Sequence, residues 1–287
     1  MVVFIVYFIL WIAIGFEFGY GFKLYLDYRQ SRIKYIAIPT IEEDEEEKEE
    51  EEEEEKWDIV YVLKNDMNNI EELRYSLRSL KNFTYNKVWF VGGQPQGLKP
   101  DCKIPLIQKG DGAYSRVWNT LIEACQNDNI TSKFYLFNDD FFILKKYNQY
   151  KNYYISDLDE HIVVHEDYYS SWTGYSTVLR RVNTLLRKEK YTTLSYEIHM
   201  PMLIDKQEAL KILLKYKGES LFRSIYGNIC HTTPIEKRED CKIFSLDVTI
   251  TPDDWDTVST TSETFNKLPV GKYIRESFPE KSKYEID

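Results

Sequence analysis

The chain reads as one α/β domain on a mostly parallel sheet, set behind a single N-terminal membrane-spanning helix. Three observations predict this. From residue 57 onward, short runs rich in Val, Ile, Phe and Tyr alternate with amphipathic stretches, the pattern of a parallel α/β sheet rather than of a sandwich or a bundle. Polar residues follow each of these runs at once. Residues 2–22 are almost continuously apolar.

The apolar start runs from Val2 to Phe16, breaks at Glu17 and resumes from Phe18 to Phe22. A spanning helix needs about 20 such residues, so 1–22 is expected to anchor the chain in a membrane. No basic residue precedes the run and no small-residue cleavage site closes it, which disfavours a signal peptide. Lys23, Arg29, Arg32 and Lys34 follow, and by the positive-inside rule they place what comes after on the cytoplasmic side of a single-pass protein. Residues 23–56 are a juxtamembrane and acidic linker. Positions 42–55 hold thirteen acidic residues and one Lys, a self-repelling spacer. Residues 57–287 are then one domain of about 230 residues, large enough for one well-buried core.

The net charge of −10 belongs to the linker. Without that run, whose own charge is −12, the rest of the chain stands at +2. This excludes the broad basic surface of a nucleic-acid binder. Aromatic residues make up 15%, with 23 Tyr and 6 Trp, which excludes wholesale disorder and suits a sugar-binding cleft as well as an ordinary core. Cys102, Cys125, Cys230 and Cys241 match no zinc spacing, and free buried thiols are expected. Cys230-His231 with Cys241 leaves a metal or disulfide pairing open.

In order, the elements are a strand at Asp58–Leu63, a helix at Ile70–Leu80 with acidic residues early and basic ones late, a strand at Lys87–Val91 closed by Gly92-Gly93, a helix at Tyr114–Gln126 and a strand at Lys133–Phe137. In parallel α/β sheets ligands bind beyond the carboxyl ends of the strands. Asn65-Asp66, Gly92-Gly93 and Asn138-Asp139-Asp140 all follow strand ends and are expected to converge on one crevice.

Asn138-Asp139-Asp140 is the strongest local signal, because it lies between the apolar runs Phe134–Phe137 and Phe141–Ile143. Adjacent carboxylates there are costly unless a cation or hydrogen bonds compensate. A divalent metal, Mg²⁺ or Mn²⁺, on Asp139 and Asp140 would do so and would bridge substrate phosphates; a strand-to-turn cap is the bland alternative. His199 is a candidate proton acceptor, with Glu197 on its face of an extended segment. Arg223 suits phosphate. Arg74 and Arg78 share a helix face, and either reaches a diphosphate or forms a surface ion pair. His161 and His165, flanking Ile-Val-Val at strand spacing, read as ordinary. Thr257–Thr264 reads as a loop.

Asp58-Ile-Val-Tyr61, Glu72–Leu80, Lys87–Val91 and Phe137-Asn-Asp-Asp-Phe141, followed by His199-Met-Pro-Met-Leu-Ile-Asp205 and Arg223, resemble the Stealth family of sugar-1-phosphate transferases over roughly residues 57–228. Ser259–Lys283 resembles the ends of phage-encoded glycosyltransferase-like proteins. The Stealth resemblance implies a GT-A-like nucleotide-sugar transferase core, a nucleotide-sugar donor, a glycan acceptor and a divalent metal. It implies metal binding by Asp139 and Asp140, catalysis or phosphate binding by His199, Arg223 and Asp140, and a donor site near Asp58, to which the strand-end and helix-face residues Asp66, Asn138 and Arg74 would belong. The chain departs from the family at Val62-Leu-Lys-Asn-Asp66. Three activities stay open: transfer of a sugar phosphate, transfer of the sugar alone with release of nucleoside diphosphate, and carbohydrate binding without catalysis.

Overall fold

The computed structural model describes residues 55–67, 70–108, 112–168, 173–230, 235–244 and 255–286. The expected membrane helix and acidic spacer lie outside them. Among the described residues, no helix is long and apolar enough to cross a membrane.

The first half of the domain follows the expected order with one strand, β3, that the sequence reading did not foresee: β1 (Asp58–Leu63), α1 (Glu71–Ser79), β2 (Val88–Gly92), β3 (Cys102–Pro105), α2 (Ala113–Gln126) and β4 (Lys133–Phe137). Then come β5 (Phe141–Ile143), β6 (Asn152–Tyr154), α3 (Leu158–Tyr168), α4 (Thr173–Lys188), β7 (Met202–Asp205), α5 (Lys206–Lys215) and α6 (Phe222–Cys230). The chain closes with β8 (Ile235–Lys237), β9 (Lys242–Ile243), β10 (Thr257–Thr260), α7 (Ser262–Lys267) and α8 (Pro269–Ser277).

The main sheet has the order β3-β2-β1-β4-β7. β1 pairs in parallel with β2 and with β4, and β2 with β3; only β7 runs antiparallel, against β4. The fold is therefore mixed α/β with a mostly parallel central sheet. Strand order reverses beside β1, so the crevice of a switch point opens between the carboxyl ends of β1 and β4.

Alternate side chains point to opposite faces of a strand, and both faces here are covered. Ile59, Tyr61, Phe90, Tyr135 and Phe137 pack against Leu73 and Leu77 of α1. Val60, Trp89, Val91, Phe134 and Leu136 pack on the other side with Leu121 and Ala124 of α2 and Leu213 of α5. This double burial explains why these runs are apolar throughout.

A second sheet, β5-β10-β9, lies beyond the end of β4, and α7 and α8 pack on it through Phe265, Val270 and Ile274. The stretch Thr257–Thr264, expected as a loop, is thus β10 and the start of α7. Most of its hydroxyls are held by the fold: Thr260 donates to Glu72 at 2.9 Å, and Thr261 caps α7. His161 and His165 are one turn apart on a helix, α3, rather than on a strand. All four cysteines are free.

Gly92 and Gly93 are required by close approach. Gly92 has φ of +100°, a backbone region that favours glycine. A Cβ on Gly93 would lie 1.9 Å from the carbonyl oxygen of Lys64, so the pair lets the end of β2 pass against the end of β1.

The C-terminal segment is clasped onto α1. Glu285 accepts from Arg78 Nε and Nη2, both at 2.7 Å, and from Arg74 at 3.3 Å. Its side chain is 1% exposed. Burial pushes the Glu285 carboxyl up, but the Arg78 fork and the Ser282 N–H outweigh it and hold the group at about 2. A folded-state value below the unfolded one stabilises the fold above pH 4.5, and that contribution fades as pH falls toward 2. Glu285→Ala is expected to lower stability by about 3 kcal/mol at pH 7, as breaking a buried pair does. In urea unfolding of the full chain, wild type and variant converge as pH drops below 4.5.

Candidate active site

The polar residues after β1 and β4 do come together at the crevice. β1 and β4 are neighbours in register, with Tyr61 opposite Phe137, so Asn65-Asp66 and Asn138-Asp139-Asp140 leave adjacent strand ends. Asp66 is exposed in the turn; Asn138, Asp139 and Asp140 are half-buried.

His199 reaches the same place because β7 is antiparallel. Met202 pairs with Leu136 and Asp205 with Lys133, so β7 begins where β4 ends. The residues just before Met202 therefore sit at the carboxyl ends of the parallel strands. A parallel edge strand would have left His199 at the opposite end of the sheet.

The small sheet adds a third contribution. Phe141 of β5 pairs with Ser259 of β10, and Ser259 with Lys242 of β9. That row carries Lys242 to Asp140, with which it forms an ion pair. Their side chains are 12% and 14% exposed, so solvent screens this pair only weakly. Among the described residues Asp140 Oδ1 is buried without a hydrogen-bond partner. Burial first, and the adjacent Asp140 charge second, push the Asp139 carboxyl up to about 6.

Asp240, two residues before Lys242, grips His199. One carboxylate oxygen accepts from the His199 backbone N–H at 2.9 Å and the other lies 2.8 Å from ring Nδ1. Burial pushes Asp240 up, yet its bonds to His199 hold it below the ordinary carboxylate value. The carboxylate can only accept, so Nδ1 carries a proton, and in the neutral ring this leaves the lone pair on Nε2. A carboxylate-oriented imidazole is the arrangement of a general base.

Glu197, His199, Asp240 and Lys242 line one part of a cavity of about 520 Å³. Tyr114, Val164, His165 and Tyr175 contribute to the rest of its wall. His161 and His165, read from the sequence as ordinary, are both on this wall. Burial lowers His161 below the usual histidine value, and its Nδ1 lies 2.7 Å from Ser195 Oγ. Burial raises Glu197, which accepts from Ser224 N and Oγ at 3.1 and 2.8 Å.

Three sequence candidates are placed elsewhere or otherwise engaged. Asp58 is fully buried at the amino end of β1, opposite the crevice, and accepts from Asn86, Lys87 N, Trp89 Nε1 and Thr131 N. It ties the lower ends of three strands together rather than facing a donor. Arg74 is held by Glu71 and Glu285. Arg223 lies near the site, but its guanidinium donates to the carbonyls of Met200 at 2.6 Å and of Ile198 and Leu136 at 3.4 Å. It pins α6 to the His199 segment and to the end of β4.

Asp240 and Lys242 were missed by sequence reasoning. Both are 41–102 residues from their partners, and a lone Asp-Cys-Lys has no periodicity to mark it. Among the described residues, no three His, Cys, Asp or Glu side chains form a group that could hold a metal. The paired carboxylates nevertheless fit a hard divalent ion, because such an ion takes one or two carboxylates and completes its shell with water and substrate phosphates. The orphaned Asp140 oxygen is an acceptor with that vacancy to fill. Compared with known proteins, the chain matches no family model and no curated protein.

The grip on His199 has a spectroscopic consequence. In long-range ¹⁵N–¹H NMR, His199 is expected as the Nδ1-protonated tautomer. Asp240→Ala is expected to move it toward the Nε2-protonated form. An unchanged tautomer would mean that Asp240 does not orient the ring.

Proposed function

We propose that this protein is a metal-dependent transferase that uses a nucleotide-sugar donor and moves a sugar 1-phosphate onto a glycan hydroxyl. The observation that carries the reading is that the Asp240-oriented imidazole of His199 lines the same cavity as Lys242, whose ammonium is paired with Asp140 at the end of β4. A base and a phosphate-handling site within one crevice are what transfer to a hydroxyl requires. The likeness of residues 57–228 to the Stealth family supports the same reading, as does a mostly parallel sheet with its crevice at the strand ends. The finer GT-A-like assignment and the cytoplasmic, single-pass membrane anchor through residues 1–22 belong to the proposal.

The reaction follows from the chain's own groups. The acceptor hydroxyl lies against His199 Nε2, which takes its proton as the oxygen bonds to the β-phosphorus of the donor. The bond from that phosphorus to the bridging oxygen breaks, and the nucleoside monophosphate leaves with the electron pair. Asp240 stabilises the imidazolium formed. Asp139 and Asp140 would hold the divalent ion, which when bound neutralises charge on the diphosphate. Arg223 keeps Met200 and Leu136, and with them His199 and Asn138, in place. The aromatic wall of Tyr114 and Tyr175 suits the faces of an acceptor sugar.

The test is a panel of nucleotide sugars with Mg²⁺ or Mn²⁺ and glycan acceptors, given to the full-length protein in detergent, with the released nucleotide identified by mass spectrometry. Nucleoside monophosphate is expected. Asp139→Ala/Asp140→Ala should abolish its release, and His199→Ala should slow it by about a hundredfold or more. Release of diphosphate would instead make the protein a glycosyltransferase moving the sugar alone. No turnover across the panel would leave a carbohydrate-binding protein.

A further inference from the structure

We propose that Lys242 is the phosphate-binding cation of this site, and that its pairing with Asp140 is the resting position of a side chain that turns to an incoming diphosphate. The inference rests on the reading of the crevice as a nucleotide-sugar site and names the residue that meets the donor's charge.

Arg223, the cation that sequence reasoning favoured, has its fork occupied by three backbone carbonyls. Moving it to a phosphate would break these three bonds, which tie α6 to the His199 segment and to β4. Lys242 differs in each respect. It is the only Lys or Arg among the described residues that line the cavity. An ammonium has three donors, and among the described residues its side chain donates only to Asp140. The two unused donors belong to a group that also faces the cavity occupied by His199 and Asp240.

Position and reach also agree. Lys242 and Phe244 alternate with Ile243, which points into the core of the small sheet, so both face the cavity side. The ammonium lies 5.9 Å from the Phe244 ring centroid, and the Lys242 side chain is only 12% exposed, so water screens its attraction to an anion weakly. Carboxylates are the other charges here: Glu197 and Asp240 line the cavity with Lys242, and Asp140 pairs with it. A diphosphate therefore needs a cation that is free to move toward it. The flexible four-carbon stem of lysine permits that motion, whereas a pinned arginine does not.

The experiment measures binding of inorganic pyrophosphate to the full-length protein by calorimetry with Mg²⁺ present, and in parallel maps reductive methylation of lysines by mass spectrometry. Wild-type protein is expected to bind pyrophosphate. Lys242→Met should weaken binding at least tenfold, and Lys242→Arg, which keeps the charge, should weaken it by less than threefold. In wild type, pyrophosphate should slow methylation of Lys242, a readout that holds even where the Met variant fails to fold. Equal binding by Lys242→Met, or methylation of Lys242 unaffected by pyrophosphate, would overturn the proposal. Pyrophosphate binding that needs Lys242 in a protein that turns over no nucleotide sugar would keep this inference and sink the transferase reading. No pyrophosphate binding by wild type would overturn the inference alone if turnover persists.

Discussion

The arrangement depends on one continuous stretch, residues 133–143, which passes from the centre of the large sheet into the small one. β4 is bonded on one edge to β1 in parallel and on the other to β7 antiparallel. The chain then turns through Asn138-Asp139-Asp140 and enters β5, which pairs with β10. Each pairing delivers a different part of the site. β1 brings the Asn65-Asp66 turn, β7 brings His199, and β10 with β9 brings Lys242 and Asp240. A one-residue slip in any of these registers would turn the delivered side chain to the opposite face.

The same stretch creates an electrostatic problem that its neighbours resolve only in part. Asp139 and Asp140 follow a buried strand and precede another, and their charge is met by Lys242 at one oxygen while, among the described residues, Asp140 Oδ1 is left without a partner. Burial and mutual repulsion raise Asp139 to about 6. Polar groups left in this condition cost stability, and such costs collect at functional sites. Asp58 is the contrast: a more deeply buried carboxylate that accepts four hydrogen bonds and holds strand ends together.

Much of the scaffold was legible in the sequence. Runs buried on both faces are apolar throughout, so β1 and β4 emerge with the bounds expected and β2 shifts by one residue. The strand-end logic located Asn138-Asp139-Asp140 and the crevice. What was not legible depends on long-range pairing. The antiparallel turn of β7 decides where His199 lies, yet Met-Leu-Ile-Asp reads alike in either direction. Thr257–Thr264 looks like a loop by composition because hydroxyls such as those of Thr257, Thr260 and Ser262 find their partners only in the folded chain. Arg223 and Lys242 are both cations by type. Only the carbonyls around the first and the cavity beside the second tell a structural pin from a mobile charge.

In the proposed function, the carboxylates at the end of β4 and the His199–Asp240 pair belong to one site that takes a metal and a diphosphate together. The most direct measurement is a crystal structure of the full-length protein grown with Mn²⁺ and a nucleoside diphosphate, with manganese located by its anomalous signal. A peak against Asp139 and Asp140 is expected, with the diphosphate extending from it toward Lys242 and His199. Manganese elsewhere, or a nucleotide bound away from the end of β4, would contradict it.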